Sequence, residues 1–484
     1  MNKGTVVAAF LISTISTGSA AVLAEDPPAM FGLTPSRNMV STETGVPTDW
    51  DILSGKNIKW KQKLGSQTYA GPIIYDGKVF VGTNNEGERR PGIVGDKGIL
   101  IAFRESDGEL LWQATHDKLP AGRVNDWPLQ GICSTPYIED GVAYYVSNRG
   151  EFVAVDVDGF ADGNDGMQDE QYGHEMDADI LWIYDTIAEL DVFPHNLAAG
   201  SPLVVGDVVV ATTGQGVDEG HINIPSPLGP SFVALNKHTG ELVWESAHPG
   251  ESILHGTWSN PAAGVAGGRE QIVIPGGEGV VYSFAPDTGE LIWTFDTNPK
   301  DSVWVLGGKG TRNNIISTPV FHHDVVYIGV GQDPEHGEGP GHFYKIDASG
   351  TGDITETGTI WHVGGEDFQR TMSTAAVHDG LVYIADLSGH VYCFDEETGE
   401  LQWMHHTYAA IWGSTFVVDG KIYIGDEDGE VAILATGREE NLINEVFMEG
   451  AVYTTPFAKN GVLYVATRSE LYAIEEGAQL ASAE

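Results

Sequence analysis

Pairs of short apolar segments joined by tight polar turns recur along most of the chain. In IIYDGKVFVG (73–82) and YIEDGVAYYV (137–146), branched and aromatic residues flank an Asp-Gly turn. Five further segments have the same form, at 203–212, 320–329, 376–385, 416–425 and 457–466, and the copy beginning at Ala262 has a longer turn. Two such runs separated by a turn of this type predict a β-hairpin.

A second kind of hairpin follows each of the first and ends in tryptophan. Four copies are nearly superimposable: AFRESDGELLW (102–112), ALNKHTGELVW (234–244), SFAPDTGELIW (283–293) and CFDEETGELQW (393–403). Stretched copies end at Trp182 and Trp361, and a degenerate copy ends at Phe447. Each repeat therefore predicts a sheet of four antiparallel strands, two from each hairpin.

Eight anchor positions, counting Trp60, predict eight such sheets. A sheet of this size cannot bury both faces alone, so we expect the sheets to stack radially as an eight-bladed β-propeller, an all-β fold. A parallel β-helix is the main alternative, but its repeats are shorter and lack two hairpins per unit. The last repeat supplies only three strands, and Asn57–Leu64 is predicted to close the ring as the fourth strand of the last blade.

These predictions divide the chain into four parts. Residues 1–24 carry Lys3, an apolar run and small residues before Ala24, which indicates a cleaved signal peptide. Residues 25–56 are expected to form an irregular arm, 57–476 the propeller and 477–484 a tail. We therefore expect an exported protein, periplasmic or extracellular, with no lipid-anchoring cysteine near the cleavage site and no membrane anchor.

The tryptophan hairpins, clearest at Cys393–Trp403, resemble the tryptophan-docking repeat of the PQQ-like (pyrroloquinoline quinone-like) β-propellers. That family includes quinoprotein alcohol dehydrogenases and the outer-membrane assembly propeller lipoprotein, and the resemblance to its secreted repeat proteins covers nearly the whole chain after residue 24. It implies that the tryptophans have a structural role: each large ring fills the gap between adjacent blades while its N–H finds a carbonyl.

Charge and cysteine content narrow the functional classes. There are 69 Asp and Glu residues against 25 Lys and Arg, a net charge of -44, which excludes broad binding of nucleic acids and argues against docking on anionic membranes. The two cysteines, Cys133 and Cys393, fall in blades two and six, on opposite sides of the ring, and are predicted to be free thiols. They cannot form the adjacent cysteine pair that the resemblance to quinoprotein dehydrogenases would imply.

One face of the ring carries the candidate binding residues. Long loops at 84–98, 214–230 and 331–341 all fall on the face where each blade's first strand begins, whereas the tight turns mark the opposite, plain face. Polar and aromatic residues just upstream of the first strands predict a ligand pocket at this funnel face. The candidates are His195, Asn196, His255, Trp258, Asn313, Arg370 and Trp412. In the alternative interpretation these polar groups only satisfy loop backbones or bind channel water.

An Asp-rich stretch between the third and fourth strands of blade two offers a weak metal site. Asp156, Asp158, Asp162 and Asp165 resemble the spacing of thrombospondin-type calcium loops, and closely spaced carboxylates suit Ca²⁺. The alternative is a solvated acidic turn in a very acidic protein. In either case this loop is expected on the plain face.

Three functions are considered at this point, and the least favoured is an outer-membrane assembly partner, because no lipid-anchoring cysteine lies near the predicted cleavage site. The first is an exported, non-catalytic propeller that binds a protein, glycan or small molecule on its funnel face. The second is a quinoprotein dehydrogenase for alcohols or sugars, with PQQ held over calcium in the funnel. The absence of an adjacent cysteine pair, a haem motif or a recognisable catalytic motif favours the first.

Overall fold

The computed structural model describes Met1 and residues 26–332 and 339–480; the predicted signal peptide lies outside these residues. Eight sheets of four antiparallel strands form an eight-bladed β-propeller, which confirms the predicted all-β fold. In blades one to seven the four strands are hydrogen-bonded in chain order, from the first at the channel to the fourth at the rim.

The first four blades contain consecutive strands. Blade one has β3 Ile73–Tyr75, β4 Lys78–Asn84, β5 Lys97–Arg104 and β6 Leu110–Asp117. Blade two has β7 Tyr137–Glu139, β8 Val142–Val146, β9 Glu151–Asp156 and β10 Ile180–Asp185. Blade three has β11 Leu203–Val205, β12 Val208–Thr212, β13 Phe232–Asn236 and β14 Leu242–Ser246. Blade four has β15 Ala262–Ala266, β16 Arg269–Pro275, β17 Val280–Phe284 and β18 Leu291–Asp296.

The other blades repeat the pattern with two short additions. Blade five has β19 Val320–His322, β20 Val325–Val330, β21 Pro340–Asp347 and β23 Thr359–Gln369, with β22 Gly352–Asp353 added to blade four. Blade six has β24 Ala376–His378, β25 Leu381–Ala385, β26 His390–Asp395 and β27 Leu401–His406. Blade seven has β28 Phe416–Val418, β29 Lys421–Gly425, β30 Glu430–Ala435 and β31 Leu442–Phe447, with β1 Val40–Ser41 alongside β28.

Helical segments in the described residues are short. They are α1 Thr186–Leu190 and the 3₁₀ turns Asn85–Gly87, Gly122–Val124, Gly159–Ala161, Gly250–Ser252 and Leu306–Gly308. No helix in this part of the chain is long and apolar enough to cross a membrane.

The two ends of the chain meet in blade eight. Its strands are β32 Phe457–Lys459, β33 Val462–Ala466 and β34 Glu470–Gln479 from the C-terminus, and β2 Lys56–Lys63 from the N-terminus. The pairing of β2 with β34 runs from Lys56 opposite Gln479 to Lys63 opposite Glu470. The predicted closure by the N-terminal strand is therefore confirmed, and β34 continues past the predicted boundary at residue 476. Closure gives the last blade the same four strands as the others. Because β2 pairs with β34, the outer edge of β34 is not left open.

The repeated tryptophans join neighbouring blades. The indole N–H of Trp60 donates to the carbonyl of Glu105 (2.9 Å), that of Trp112 to Val157 (3.0 Å) and that of Trp403 to Gly437 (2.8 Å). Trp182, Trp244 and Trp361 bond to the next blade in the same way. Trp293 differs, since its N–H donates to the Gln271 side chain of its own blade at 2.7 Å. The predicted structural role of these residues therefore matches their contacts, and buried apolar clusters likewise combine adjacent blades.

The N-terminal arm lies in the central channel, along the first strands of several blades. Ala29 pairs with Ile138 of blade two, the amides of Ala263 and Phe321 donate to the carbonyls of Pro35 and Ser36, and Asn38 bonds both backbone groups of Val377. β1 then pairs with β28 in parallel. The arm thus satisfies the inner edges of first strands that would otherwise face the channel.

Arg37 is the central side chain of this arm and is fully buried. Its guanidinium donates to the carbonyls of Phe31, Pro202 and Pro261 at 2.5, 2.8 and 2.8 Å and to that of Ser201 at 3.3 Å. Burial lowers the pKa of Arg37 to about 9, so the group remains charged at neutral pH. A segment that the sequence indicated only as irregular therefore ties blades three and four to the channel axis.

Both cysteines are free thiols, as predicted. Cys133 precedes the first strand of blade two and Cys393 is buried in β26 of blade six. Burial raises the pKa of each thiol to about 12, which keeps both protonated and unreactive at neutral pH.

Candidate functional site

The funnel face carries a cup built from the same repeat position in all eight blades. A proline, replaced by Ala375 in blade six and Thr415 in blade seven, immediately precedes each first strand, and the cup residue lies three positions before it. In blade order these residues are Tyr69, Cys133, Ala199, Trp258, Ile316, Met372, Trp412 and Tyr453. The eightfold repeat of the backbone places them in one ring around the channel mouth.

The cup is a largely apolar cavity of about 370 Å³. Seven of the eight ring residues line it, and Tyr453 stacks on Tyr69 with ring centroids 5.2 Å apart. The remaining lining residues come from the segments around the ring: Trp127, Gln130, Asn196, Leu197 and His255. Because the arm fills the channel on the side of the tight turns, the cup opens on the funnel face.

Aromatic side chains support one another on two sides of the cup. On one side Trp412 lies 6.4 Å from Tyr69 and 5.5 Å from Tyr453 between ring centroids. On the other, Trp258 meets His255 edge to face at 5.1 Å and donates its indole N–H to the carbonyl of His195 at 3.2 Å. Neighbouring rings and a backbone carbonyl thus hold the two tryptophan rings in place. A site that binds a flat or branched apolar group requires such support.

The seven candidate residues from the sequence divide into two groups. Asn196, His255, Trp258 and Trp412 line the cup. His195, Asn313 and Arg370 are buried outside the lining: His195 behind Trp258, Asn313 with its amide N–H on the Asn298 side chain, and Arg370 packed against Gly331. These three side chains lie five to seven positions before the proline or its replacement, as Asn196 and His255 also do, so the repeat position alone does not decide which side chains reach the cup.

Several lining residues were not among the candidates, although a signal for them exists. Cys133, Ala199, Ile316 and Met372 occupy the same repeat position as Trp258 and Trp412, so aligning all eight blades on that position would have identified them. Trp127 lies outside this register, as does His221, a residue of the β12–β13 loop that is not part of the cup lining. Their positions depend on how the loops fold, which the repeat pattern does not specify.

Three histidines meet beside the cup. His195 and His255 belong to the segments leading into blades three and four, and His221 to the long loop between β12 and β13. The Nε2 atoms of His221 and His255 are 3.2 Å apart, and one ligand nitrogen from each of the three rings lies within 4.8 Å of the others.

The Asp-rich loop brings three of its four predicted carboxylates together. One oxygen from each of Asp156, Asp162 and Asp165 lies within 4.8 Å of the others, whereas Asp158 forms an ion pair with Lys78 at 2.8 Å. Burial and the neighbouring carboxylate of Asp162 raise the pKa of Asp156. The contact with Lys78, just after a tight turn, places this cluster on the plain face. Calcium binding by it stays a prediction.

The remainder of the loop between β9 and β10 runs along the outer edge of the ring. It encloses a second cavity of about 310 Å³. Arg90 of blade one holds Asp177, with Nε and Oδ1 3.0 Å apart, and polar side chains such as His116, Asp117 and Glu151 line the cavity. The second cavity is polar and lies between outer strands. Unlike the cup, it is not formed where residues from all eight blades meet.

The cup does not fit the quinone that the resemblance to quinoprotein dehydrogenases implies. Among the described residues, the cup lining contains no Asp, Glu, Lys or Arg. A carboxylated quinone held over Ca²⁺ needs oxygen ligands for the cation and basic partners for its own carboxylates. Cys133 is the single cysteine of the lining, so an adjacent cysteine pair is also missing.

Comparison with known proteins agrees with the architecture. The outer membrane protein assembly factor BamB of Alkalilimnicola ehrlichii is 24% identical over 202 residues, covering 38% of this chain and 48% of that protein. Polyvinylalcohol dehydrogenase of a Pseudomonas species is 24% identical over 392 residues, covering 74% and 50%. The dehydrogenase subunit of the quinone alcohol dehydrogenase of Gluconacetobacter polyoxogenes is 28% identical over 327 residues, covering 56% and 39%. The chain therefore spans about half or less of the length of these relatives.

Among solved structures, BamB of Moraxella catarrhalis matches with a TM-score of 0.56 and 17% identity, covering 87% of this chain and 98% of that one. This likeness shows the fold. The family model described as outer membrane protein assembly factor BamB matches residues 23–121, 88–159, 195–333 and 277–440, which together are well over half of the chain. The predicted resemblance is confirmed, and this chain belongs to the BamB-like family of PQQ-like β-propellers.

Proposed function

We propose that this chain is an exported, non-catalytic propeller that binds a protein partner by taking an apolar or aromatic side chain into the funnel cup. The observation that carries the proposal is the cup itself, an uncharged cavity of about 370 Å³ with two tryptophan faces held on a rigid ring. That volume suits one or two side chains of a partner segment. Buried aromatic anchors in such pockets contribute much of the affinity in protein interfaces.

The family supports a protein partner over a glycan or a free small molecule. One relative is named as an outer membrane protein assembly factor, and this chain shares its propeller. The net charge of -44 favours a partner segment with basic residues beside its apolar anchor, because a strong acidic field attracts cations during encounter. The N-terminal signal pattern around Lys3 supports export.

Selection of displayed random peptides tests this proposal. The wild-type chain should enrich peptides with an aromatic or large aliphatic residue flanked by Lys or Arg, and Trp258→Ala should lose them. The matched control is Trp304→Ala, which removes a tryptophan that is 42% exposed and lies outside the cup. Equal enrichment on the Trp258→Ala protein, or enrichment of peptides without an apolar anchor, would contradict the proposal.

The second candidate is a PQQ- and calcium-dependent dehydrogenase, which the quinone alcohol dehydrogenase relatives favour. The uncharged cup lining speaks against it. We expect that the purified chain, incubated with PQQ and Ca²⁺, gives no alcohol-dependent reduction of an acceptor dye. Robust dye reduction would reverse the order of the two candidates.

A further inference from the structure

We propose that His195, His221 and His255 form a Zn²⁺ site at the edge of the cup. Three neutral imidazoles are a recognised protein ligand set for Zn²⁺, which leaves its fourth position open. Zn–N bonds of 2.0–2.1 Å in a tetrahedron separate the nitrogens by roughly 3.3–3.4 Å. The 3.2 Å between the Nε2 atoms of His221 and His255 is close to that separation.

The tautomer of His195 is fixed in the form that a metal requires. Its Nδ1 lies 2.7 Å from the carbonyl oxygen of Val217. Because a carbonyl can only accept, Nδ1 carries the hydrogen and Nε2 presents its lone pair. A metal-binding histidine usually donates the N–H of its other ring nitrogen to a carbonyl or carboxylate in this way.

Backbone hydrogen bonds hold His195 and His255 in place. The His195 amide donates to the Gly214 carbonyl at 2.8 Å, the Val217 amide to the His255 carbonyl at 2.9 Å, and Gly216 pairs with Gly256. These bonds join both lead-in segments to the start of the β12–β13 loop. Two of the imidazoles therefore belong to a hydrogen-bonded framework.

The third imidazole is positioned by its own loop. Asp218 accepts from the amides of Ile222 and Asn223 at 2.8 and 3.2 Å and from the Asn223 side chain at 2.6 Å. His221 itself sits at a φ of +55° and packs against Gly307, where an added Cβ would lie 2.5 Å from the His221 Cβ. The loop turn around Asp218 thus directs His221 towards the other two rings.

The proposed zinc site adjoins the cup on the funnel face. His255 lines the cup, and the Trp258 ring lies 5.1 Å from His255 and 6.1 Å from His195. Zinc bound here would join the loop between β12 and β13 to two blades. This inference does not depend on the protein partner proposed above.

Zinc titration of the full, untagged chain tests the site after a chelator has been used and removed. The wild type should bind one Zn²⁺ tightly, and His221→Ala should weaken that binding at least about 100-fold. His195→Asn should do the same, since its amide N–H can keep the bond to Val217 while the Nε2 ligand is lost. Melting curves of both variants identify any folding defect, and retention of fold by either one is sufficient for the comparison.

Two control variants locate the metal. His238→Ala removes an exposed histidine on a plain-face turn, and Asp162→Ala disrupts the acidic loop. Both should retain wild-type zinc affinity. Absence of tight zinc binding by the wild type, unchanged affinity in a folded histidine variant, or loss of affinity in Asp162→Ala would each overturn the assignment.

Discussion

At the scale of single residues, the glycine of each tryptophan hairpin is as important as the tryptophan. Gly399 has a φ of +73°, and a Cβ added there would lie 2.8 Å from the Trp361 ring of the preceding blade. Gly108, Gly240 and Gly289 meet Trp60, Trp182 and Trp244 in the same way. The Thr-Gly and Asp-Gly turns therefore provide both a left-handed backbone and a flat surface for the neighbouring indole.

A comparison of Gly380 with Gly399 distinguishes the need for a left-handed backbone from the need for space beside the indole. Gly380 lies in the other turn of blade six with nearly the same φ, +74°, but a Cβ there would have nothing within 4 Å. Alanine at either site has the same backbone strain, whereas only Gly399→Ala overpacks the Trp361 contact. We expect Gly399→Ala to lose about 1–3 kcal/mol more free energy of unfolding than Gly380→Ala. Equal losses in denaturant titrations would show that the indole contact is unimportant.

Glu278 makes stability depend on pH. Burial raises its pKa from 4.5 to about 8, against the opposing effect of the 2.6 Å bond from the Tyr282 hydroxyl. Between these pH values the unfolded chain has an ionised Glu278 and the folded chain a protonated one. The stability associated with this group is thus complete below pH 4.5 and is lost as pH rises through about 8.

Glu278→Gln should remove this dependence, because an amide keeps the acceptor for Tyr282 without ionising. Relative to wild type, the melting temperature of the variant should be higher at pH 9 than at pH 5. Glu290→Gln, at an exposed carboxylate of the same blade, is the matched control and should differ from wild type equally at both pH values. A Glu278→Gln difference independent of pH would contradict the burial argument.

The site was only partly predictable at this scale. Trp258 and Trp412 were found because aromatic residues recur at one repeat position, and Met372 and Ile316 share that position without being aromatic. His195 and Arg370 are equally apparent in the sequence as polar residues at these positions. Whether such a side chain is buried or lines the cup depends on where the lead-in segment turns, and the repeat pattern does not specify that turn.

At the scale of elements, the closing strand and the N-terminal arm differ in how far the sequence predicts them. The closing strand β2 was predictable because Trp60 repeats the anchor and the last repeat lacks one strand. The arm was not, because its contacts join backbone groups of an irregular segment to the edges of first strands. Such hydrogen bonds leave no periodic pattern in the sequence.

Arg37 should contribute strongly to the arm's stability. Arg37→Ala removes donors from the carbonyls of Phe31, Pro202 and Pro261 in a buried setting, and we expect a loss of about 3 kcal/mol in the free energy of unfolding. Arg37→Lys should also destabilise, since one ammonium lacks the forked geometry of guanidinium.

Arg438→Ala provides the comparison for this loss. Its side chain is 56% exposed and pairs with Asp395, so its removal should cost about 1 kcal/mol or less. If Arg37→Ala were no more destabilising than Arg438→Ala in the same denaturant titration, the arm would not stabilise the ring through this residue.

At the scale of the whole molecule, one ring organises every feature described above. The repeats place one residue per blade around the cup, the arm fills the channel on the opposite side, and the long loop of blade three brings His221 to the edge of the cup. The acidic excess was visible in the sequence, as was the grouping of the long loops and lead-in segments on the funnel face. The apolar character of the cup required the three-dimensional alignment of all eight lead-in segments.

The central claim is that the cup is the surface on which this chain meets its partner. A photoreactive phenylalanine analogue at Met372, in the cup, and separately at Val265, which is 58% exposed beside a plain-face turn, tests it in cells of the host. We predict a discrete protein adduct at position 372 that is lost when Trp258→Ala is added, and none at position 265. An adduct at position 265 alone, or no adduct at position 372, would contradict the account.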